Sequence, residues 1–278
     1  MTKIYLSTVA TEEKLYMKYL IESIKKNNGE LKILGYGEKW QGFNWRNLLM
    51  KQYLETLDKN DIVCFMDWYD VLCLRNLLHL ADKFNEIKNR EKCKIIVAYD
   101  RVLNYVDNIF ISLYFGKCNN LSLNAGTYIG YVSDILEMIN LVFIENNDVN
   151  ADDQVLLTKV CNLNKGTIYI DVNNEIFLTI SDRLTDISNN LIVNENKEVI
   201  YNNNKPFFLH CPCSYFDELL IKLNYNYDEN INKEIYERYY QKFPYMIYVD
   251  NFLFLKKEEI FLIIIILTLI IVLWNKKI

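Results

Sequence analysis

Apolar positions recur along the chain with two periods, and stretches of one period alternate with stretches of the other. Lys3 to Thr8 (KIYLST) predicts a first strand. Met17, Leu20, Ile21 and Ile24 then recur at helical spacing, with Thr11 expected as the N-cap ahead of Glu12 and Glu13. Gly29 ends that helix, and Leu31 to Gly37 is a second strand. Arg46 to Leu57 is helical by period, and Ile62 to Met66 is a third strand. Further on, helix is expected over Asn76–Ile87, Ser133–Phe143 and Asp152–Cys161, and strand over Lys94–Asp100, Leu123–Tyr131, Thr167–Asp171 and Pro206–Cys211. Residues 188–205 predict a hairpin with Asn-rich turns. Asn104 to Asn119 fits neither period clearly. Strands alternating with helices predict an α/β domain with a largely parallel sheet, whose ligands bind beyond the C-terminal ends of the strands.

The last apolar run differs in kind. Ile260 to Trp274 (IFLIIIILTLIIVLW) carries no charge, and lysines lie on both sides of it. As a helix it spans roughly 22 Å, short of the ~30 Å hydrocarbon layer, a gap that snorkelling lysines could close. The run is either a buried core helix or a membrane anchor. A core helix normally keeps one wet face, and Thr268 is the only polar residue here, so an anchor is expected. The predicted organisation is a domain over 1–216, a helical and aromatic connector over 217–257, and an anchor over 258–278.

Composition narrows the class. The 278 residues are 51% hydrophobic with a net charge of −5, which predicts a packed core and argues against a nucleic-acid partner. The opening MTKIYLSTVATEEK reads as a strand rather than a signal peptide. Reduced thiols and a cytosolic globular part are therefore expected of a single-pass, C-terminally anchored membrane protein. Cys211 and Cys213 beside His210 invite a zinc reading, but the chain has no C-x-x-C and no closely spaced His pair.

The candidate chemistry starts where the third strand stops. In DIVCFMDWYDVLCL the apolar run meets Asp67, and Asp70 follows after Trp68 and Tyr69. Two carboxylates at a strand end can hold a hard divalent ion, or can simply cap a loop. His210, one of two histidines, is either a third ligand or a hydrogen-bonded, semi-buried side chain. Asp152 and Asp153 open a helix, where free N–H groups already account for carboxylates, or else one of them faces a site. Asn124, Gly126 and Gly130 mark a bulged strand or a close approach of backbone to ligand.

Taken in order, the segments STVATEE, LKILGYGEKWQG, MDWYDV, LNAGTYIGY, DDQVLLTK and FLHCP resemble the glycosyltransferase domain of procollagen lysyl hydroxylases and its relatives, including giant-virus forms. The likeness covers roughly Ile4 to Cys213. It implies a GT-A-like, Rossmann-type glycosyltransferase domain with a mixed sheet, a UDP-sugar donor and Mn²⁺. Asp67 and Asp70 match the family's metal-binding D-x-x-D, and His210 its third metal ligand. Tyr69 matches an aromatic near the uridine, Thr8 and Val9 the segment contacting the base, and Trp40 the G-E-x-W-x-G loop. Asp152, Asp153 and Gln154 match the end of an acidic run lining the sugar pocket, with the two acids in the catalytic role. Asn124 and Gly126 match L-N-x-G, and Lys51 lies near a lysine that reaches phosphate. The implied reaction moves glucose or galactose to a hydroxylysine of a collagen-like protein. The chain departs from the pattern after His210, where HCPCSYF has neither glycine nor a nearby lysine, and at Ala125 and Ala151. Those departures keep open a catalytically inactive, membrane-tethered scaffold, or a transferase acting on a glycan or lipid.

Overall fold

The computed structural model describes residues 2–102, 105–164, 166–181, 186–212 and 214–242. The first half runs β1 (Ile4–Val9), α1 (Met17–Lys26), β2 (Leu31–Leu34), α2 (Phe43–Leu54), β3 (Ile62–Met66), β4 (Val71–Cys73), α3 (Leu80–Glu91), β5 (Ile95–Arg101) and α4 (Tyr105–Phe115). There follow β6 (Leu123–Tyr131), α5 (Val132–Glu145), α6 (Asp153–Leu163), β7 (Ile168–Asp171), β8 (Phe177–Ile180), β9 (Ile192–Val193), β10 (Val199–Ile200), β11 (Phe208–His210), α7 (Asp217–Lys222) and α8 (Asn230–Lys242).

One sheet has the order β2-β1-β3-β6-β5-β8-β11-β4, with β7 against β5. It is mixed rather than largely parallel: β6 runs antiparallel to β3 and β5, and β4 runs antiparallel to β11. Alternate residues of the central strands feed two cores. Ile62, Cys64 and Met66 of β3 join a cluster with α1 and α3, while Val63 and Phe65 join one with α2, α5 and α6. Both faces of the sheet are therefore covered, which is why β3 reads as a continuous apolar run. The hairpin expected over 188–205 is β9 against β10.

Three features differ from the sequence reading. The first helix starts at Met17, not at Thr11, because Leu15 takes a left-handed backbone (φ 50°) and the preceding segment is held elsewhere. There the Gly37 amide donates to the Thr11 carbonyl, and the Tyr16 amide to the Tyr69 carbonyl. The ambiguous 104–119 segment contains α4. Expected reduced thiols do not hold for Cys118 and Cys161, which form a disulfide between the turn ahead of β6 and helix α6. The two are 43 residues apart in sequence. Closing a loop of that length contributes about 4 kcal/mol on the chain-entropy account. Peptide mapping without reductant is expected to recover the two cysteines as one linked pair. Reductant is expected to lower the melting temperature by several degrees. Free alkylation of both thiols in the unreduced, denatured chain would contradict the bridge.

Two compact units divide the chain at Met1–Ile231 and Asn232–Ile278. Helix α7 and the residues up to Ile231 thus fold with the first unit. Of the second, the description extends through Lys242 of α8. The expected anchor at 258–278 lies outside the described residues, as does Cys213. Among the described residues, no helix is long and apolar enough to cross a membrane.

Candidate metal and sugar-transfer site

Strands β1, β2 and β3 are parallel, so their C-terminal ends share one edge of the sheet. Asp67 leaves β3 at that edge. The turn 67–70 then delivers the chain to β4, which pairs with β11 so that His210 lies opposite Val71. Two backbone bonds fix this turn: the Asp67 amide donates to the Gly126 carbonyl (2.6 Å), and the Cys211 amide donates to the Asp70 carbonyl (2.9 Å). Residues more than 130 positions apart are thereby brought to one place by a three-residue strand.

The result is a cluster of Asp67, Asp70 and His210 with one ligand atom of each within 4.8 Å of the others. His210 Nε2 lies 3.2 Å from Asp70 Oδ1 and 3.7 Å from Asp67 Oδ2. Nε2 and Asp70 Oδ1 are not aligned as donor and acceptor, and both are buried without a hydrogen bond. Buried polar atoms left so are rare, because desolvation costs about 1–3 kcal/mol each. Lone pairs of two carboxylates and an imidazole converging without satisfying one another fit a hard or borderline divalent cation.

Gly126 supplies the space. Opposite β5, β6 bulges: Val97 pairs with Tyr128 but Ala98 pairs with Asn124, leaving Ala125, Gly126 and Thr127 without partners on β5. A Cβ at Gly126 would lie 2.4 Å from His210 Cε1 and 2.6 Å from Asp67 Oδ2. The expected bulge is thus present, and the close approach at Gly126 is to the side chains of His210 and Asp67.

Burial disfavours a charged His210, but Asp70 and then Asp67 outweigh it and raise its pKa above the usual 6.5. Asp67 is pushed up, first by burial, against the opposing pull of Arg46 and His210.

A buried guanidinium extends the site. Arg46, in the first turns of α2, donates through Nη1 to Asp67 Oδ1 and through Nε (3.1 Å) and Nη2 to Asp153 Oδ2. Asp152, one residue earlier, caps α6 by accepting from the Val155 amide (3.0 Å). Gln154 accepts from the Ala125 amide and donates to Asp100, which also accepts from Ser181 (2.5 Å). Burial pushes the Asp100 carboxyl up, against the hydrogen bonds from Ser181 and Gln154. Asn124 accepts from the Gly126 amide (2.9 Å).

Thr8 and Val9 end β1 at the same sheet edge, buried, and the Thr8 hydroxyl has no hydrogen-bond partner. Tyr69 lies in the 67–70 turn with its ring against Trp68. Trp40 is 41% exposed, edge-on to Phe43 and Trp45 at the start of α2. Lys51 is on α2 but about 140° around the helix from Arg46, so the two do not share a face. Arg46, Asp100 and Ser181 were not singled out in the sequence. Asp100 ends the apolar run of β5 as Asp67 ends that of β3, and the same signal points to both.

A sequence model of the family described as the PLOD GT domain matches residues 1–237. The chain is 29% identical over 171 residues to procollagen-lysine,2-oxoglutarate 5-dioxygenase 2 of Homo sapiens, covering 57% of this chain and 22% of that one. It is 28% identical over 167 residues to the multifunctional procollagen lysine hydroxylase and glycosyltransferase of Caenorhabditis elegans, covering 55% and 22%. The match therefore spans under a quarter of the length of these curated relatives. Among solved structures, a glycosyltransferase involved in glycosylation of the major capsid of PBCV-1 aligns with a TM-score of 0.45 and 10% identity, over 75% of this chain and 94% of that one.

Proposed function

This chain belongs to the PLOD glycosyltransferase-domain family, and from that premise we propose that it transfers glucose or galactose from a UDP sugar to a hydroxylysine of a collagen-like acceptor, with Mn²⁺ as cofactor. The observation that carries the proposal is the convergence of Asp67, Asp70 and His210 beside a glycine at the C-terminal edge of the sheet. That edge is where open α/β sheets bind ligands, and it supports a GT-A-like reading of the domain.

In this reading Asp67, Asp70 and His210 hold the ion. When bound, it neutralises charge on the departing UDP. The chain's own residues do the rest. The end of β1, Thr8 and Val9, meets the nucleotide base; Tyr69 and Trp40 offer rings beside it. Asp153 orients the donor sugar or the acceptor hydroxyl, and Asp152 holds the start of α6 so that Asp153 faces inward. Gln154 and Asn124 fix the bulge of β6. The acidic cluster of Asp67, Asp70, Asp100 and Asp153 exceeds the charge of Arg46, which favours a divalent cation over further cationic side chains.

Calorimetric titration with UDP tests this. UDP is expected to bind with Mn²⁺ present and not after chelation. Mn²⁺ affinity is expected to fall with acidification, beginning above pH 6.5, because the raised His210 pKa lets protons compete for the ligand nitrogen. Absence of Mn²⁺-dependent UDP binding at pH 8 would overturn the reading. UDP-glucose and UDP-galactose assayed against hydroxylysine peptides, glycans and lipids then identify donor and acceptor.

A further inference from the structure

Arg46 stands where helix chemistry disfavours it. It is the fourth residue of α2, near the positive end of the helix dipole, and it is 8% exposed. Burial disfavours its charge, yet Asp153 and then Asp67 outweigh that cost and keep it protonated. Its ring neighbours are Phe43 and Phe65, with the guanidinium carbon 5.5 and 5.8 Å from their centroids. A cation carried into this position needs both carboxylates, and each reaches it from a different element.

The α2 end of the link is tied to the loop ahead of α6 by backbone and side-chain hydrogen bonds. The Asn44 amide donates to the Ala151 carbonyl (3.2 Å) and the Trp45 amide to the Val149 carbonyl (3.1 Å). The Asn44 side chain donates to the carbonyls of Asn146 and Asp148. Gly42 makes this junction possible, since a Cβ there would lie 2.5 Å from the Val149 carbonyl oxygen. Helix α2 and the loop leading into α6 are thus bonded to each other, with Arg46 and Asp153 paired across the seam.

Resting on the functional reading above, we propose that Arg46 is a positioning residue that locks the metal grip to the sugar-facing acid. Nη1 occupies Oδ1 of Asp67 and leaves Oδ2 turned towards His210. Nε and Nη2 both engage Oδ2 of Asp153 and set the rotation of that carboxylate. One planar fork therefore sets the orientation of both acids, which a lysine ammonium cannot do.

Full-length chains carrying R46K, D153N and both changes test this, with UDP-glucose and UDP-galactose as donors and a hydroxylysine-containing collagen-like peptide as the acceptor. The readouts are UDP release at saturating Mn²⁺, the Mn²⁺ dissociation constant and the melting temperature. R46K keeps the charge and loses the fork. Its kcat at saturating Mn²⁺ is expected to fall about 100-fold, the scale of a 1 Å misplacement, and its Mn²⁺ dissociation constant to rise, because Asp67 loses the donor that orients it. The double variant is expected to be no slower than the slower single, since both changes cut one link.

An unchanged kcat in R46K overturns the assignment. So do additive losses in the double variant, and so does recovery of R46K by excess Mn²⁺, which would make Arg46 a metal-retention group only. Should R46K fail to fold, R46Q is judged by the same kcat and additivity criteria. A wild type that releases no UDP from either donor overturns the functional reading as well. An active wild type with an unimpaired R46K overturns the role of Arg46 alone.

Discussion

Replacing Asp67 and Asp70 together by asparagine is expected to reduce Mn²⁺-dependent turnover of the UDP sugar by about 10³-fold or more, with the fold intact. The magnitude follows from losing a Lewis acid worth several kcal/mol at the leaving group, where about 4 kcal/mol corresponds to three powers of ten. Preservation of the fold follows from how the turn is held. Its two fixing bonds use the Asp67 amide and the Asp70 carbonyl, neither of which the substitution touches. An asparagine at 67 keeps an oxygen for the Arg46 Nη1 donor, so the guanidinium is not stranded. Melting curves separate the two effects. Mn²⁺ at 100 times its dissociation constant should stabilise the wild type by about 2.7 kcal/mol and the variant not at all. Metal-dependent turnover within tenfold of wild type would remove these two carboxylates from the mechanism.

The strands that were legible in the sequence are those long enough to show a period: β1, β3, β5 and β6 fall within a residue or two of the positions read from alternation and apolar runs. The acid at the end of β3 was legible for the same reason, since an uninterrupted apolar strand makes its terminus conspicuous. The closeness of His210 to Asp67 was not legible from periodicity. It depends on β4, three residues long, and on β8, four residues long, which carry no turn signal of their own. Ligand chemistry offers His210 as one of two readings, and the likeness to the family favours the reading that joins it to Asp67 and Asp70. Arg46 was invisible for a different reason: an arginine on a helix ordinarily reads as a solvated face. Its burial is decided by two carboxylates that arrive 21 and 107 residues later in the chain. The start of α1 misled because Thr11 with two glutamates behind it has the composition of a cap, while tertiary bonds to Gly37 and Tyr69 draw the flanking segment away.

Gly126→Ala is the sharper probe of the same centre, because it changes no ligand. The added methyl would overlap His210 Cε1 at 2.4 Å, Asp67 Oδ2 at 2.6 Å and Asn124 Oδ1 at 2.9 Å. The backbone at this position cannot easily retreat. The Gly126 carbonyl accepts from the Asp67 amide, its own amide donates to Asn124, and the next residue, Thr127, pairs with Met66. The side chains must therefore give way, and two of the three, His210 and Asp67, belong to the proposed metal cluster. Overpacking of this kind costs about 1–3 kcal/mol of stability. Displacing a ligand by about 1 Å is expected to lower turnover about 100-fold and to weaken Mn²⁺ binding in parallel. Gly130→Ala, four residues along the same strand, is the matched control. Its Cβ would press on the Ile135 Cδ1 methyl at 3.0 Å and on no polar group. That variant should lose stability of similar size while keeping Mn²⁺ affinity and turnover near those of the wild type. If the two variants lose activity equally, general destabilisation explains both, and the space in front of Gly126 is not where the ion sits. If Gly126→Ala alone loses the metal, the absence of a side chain at that position is a requirement of the chemistry rather than of the strand.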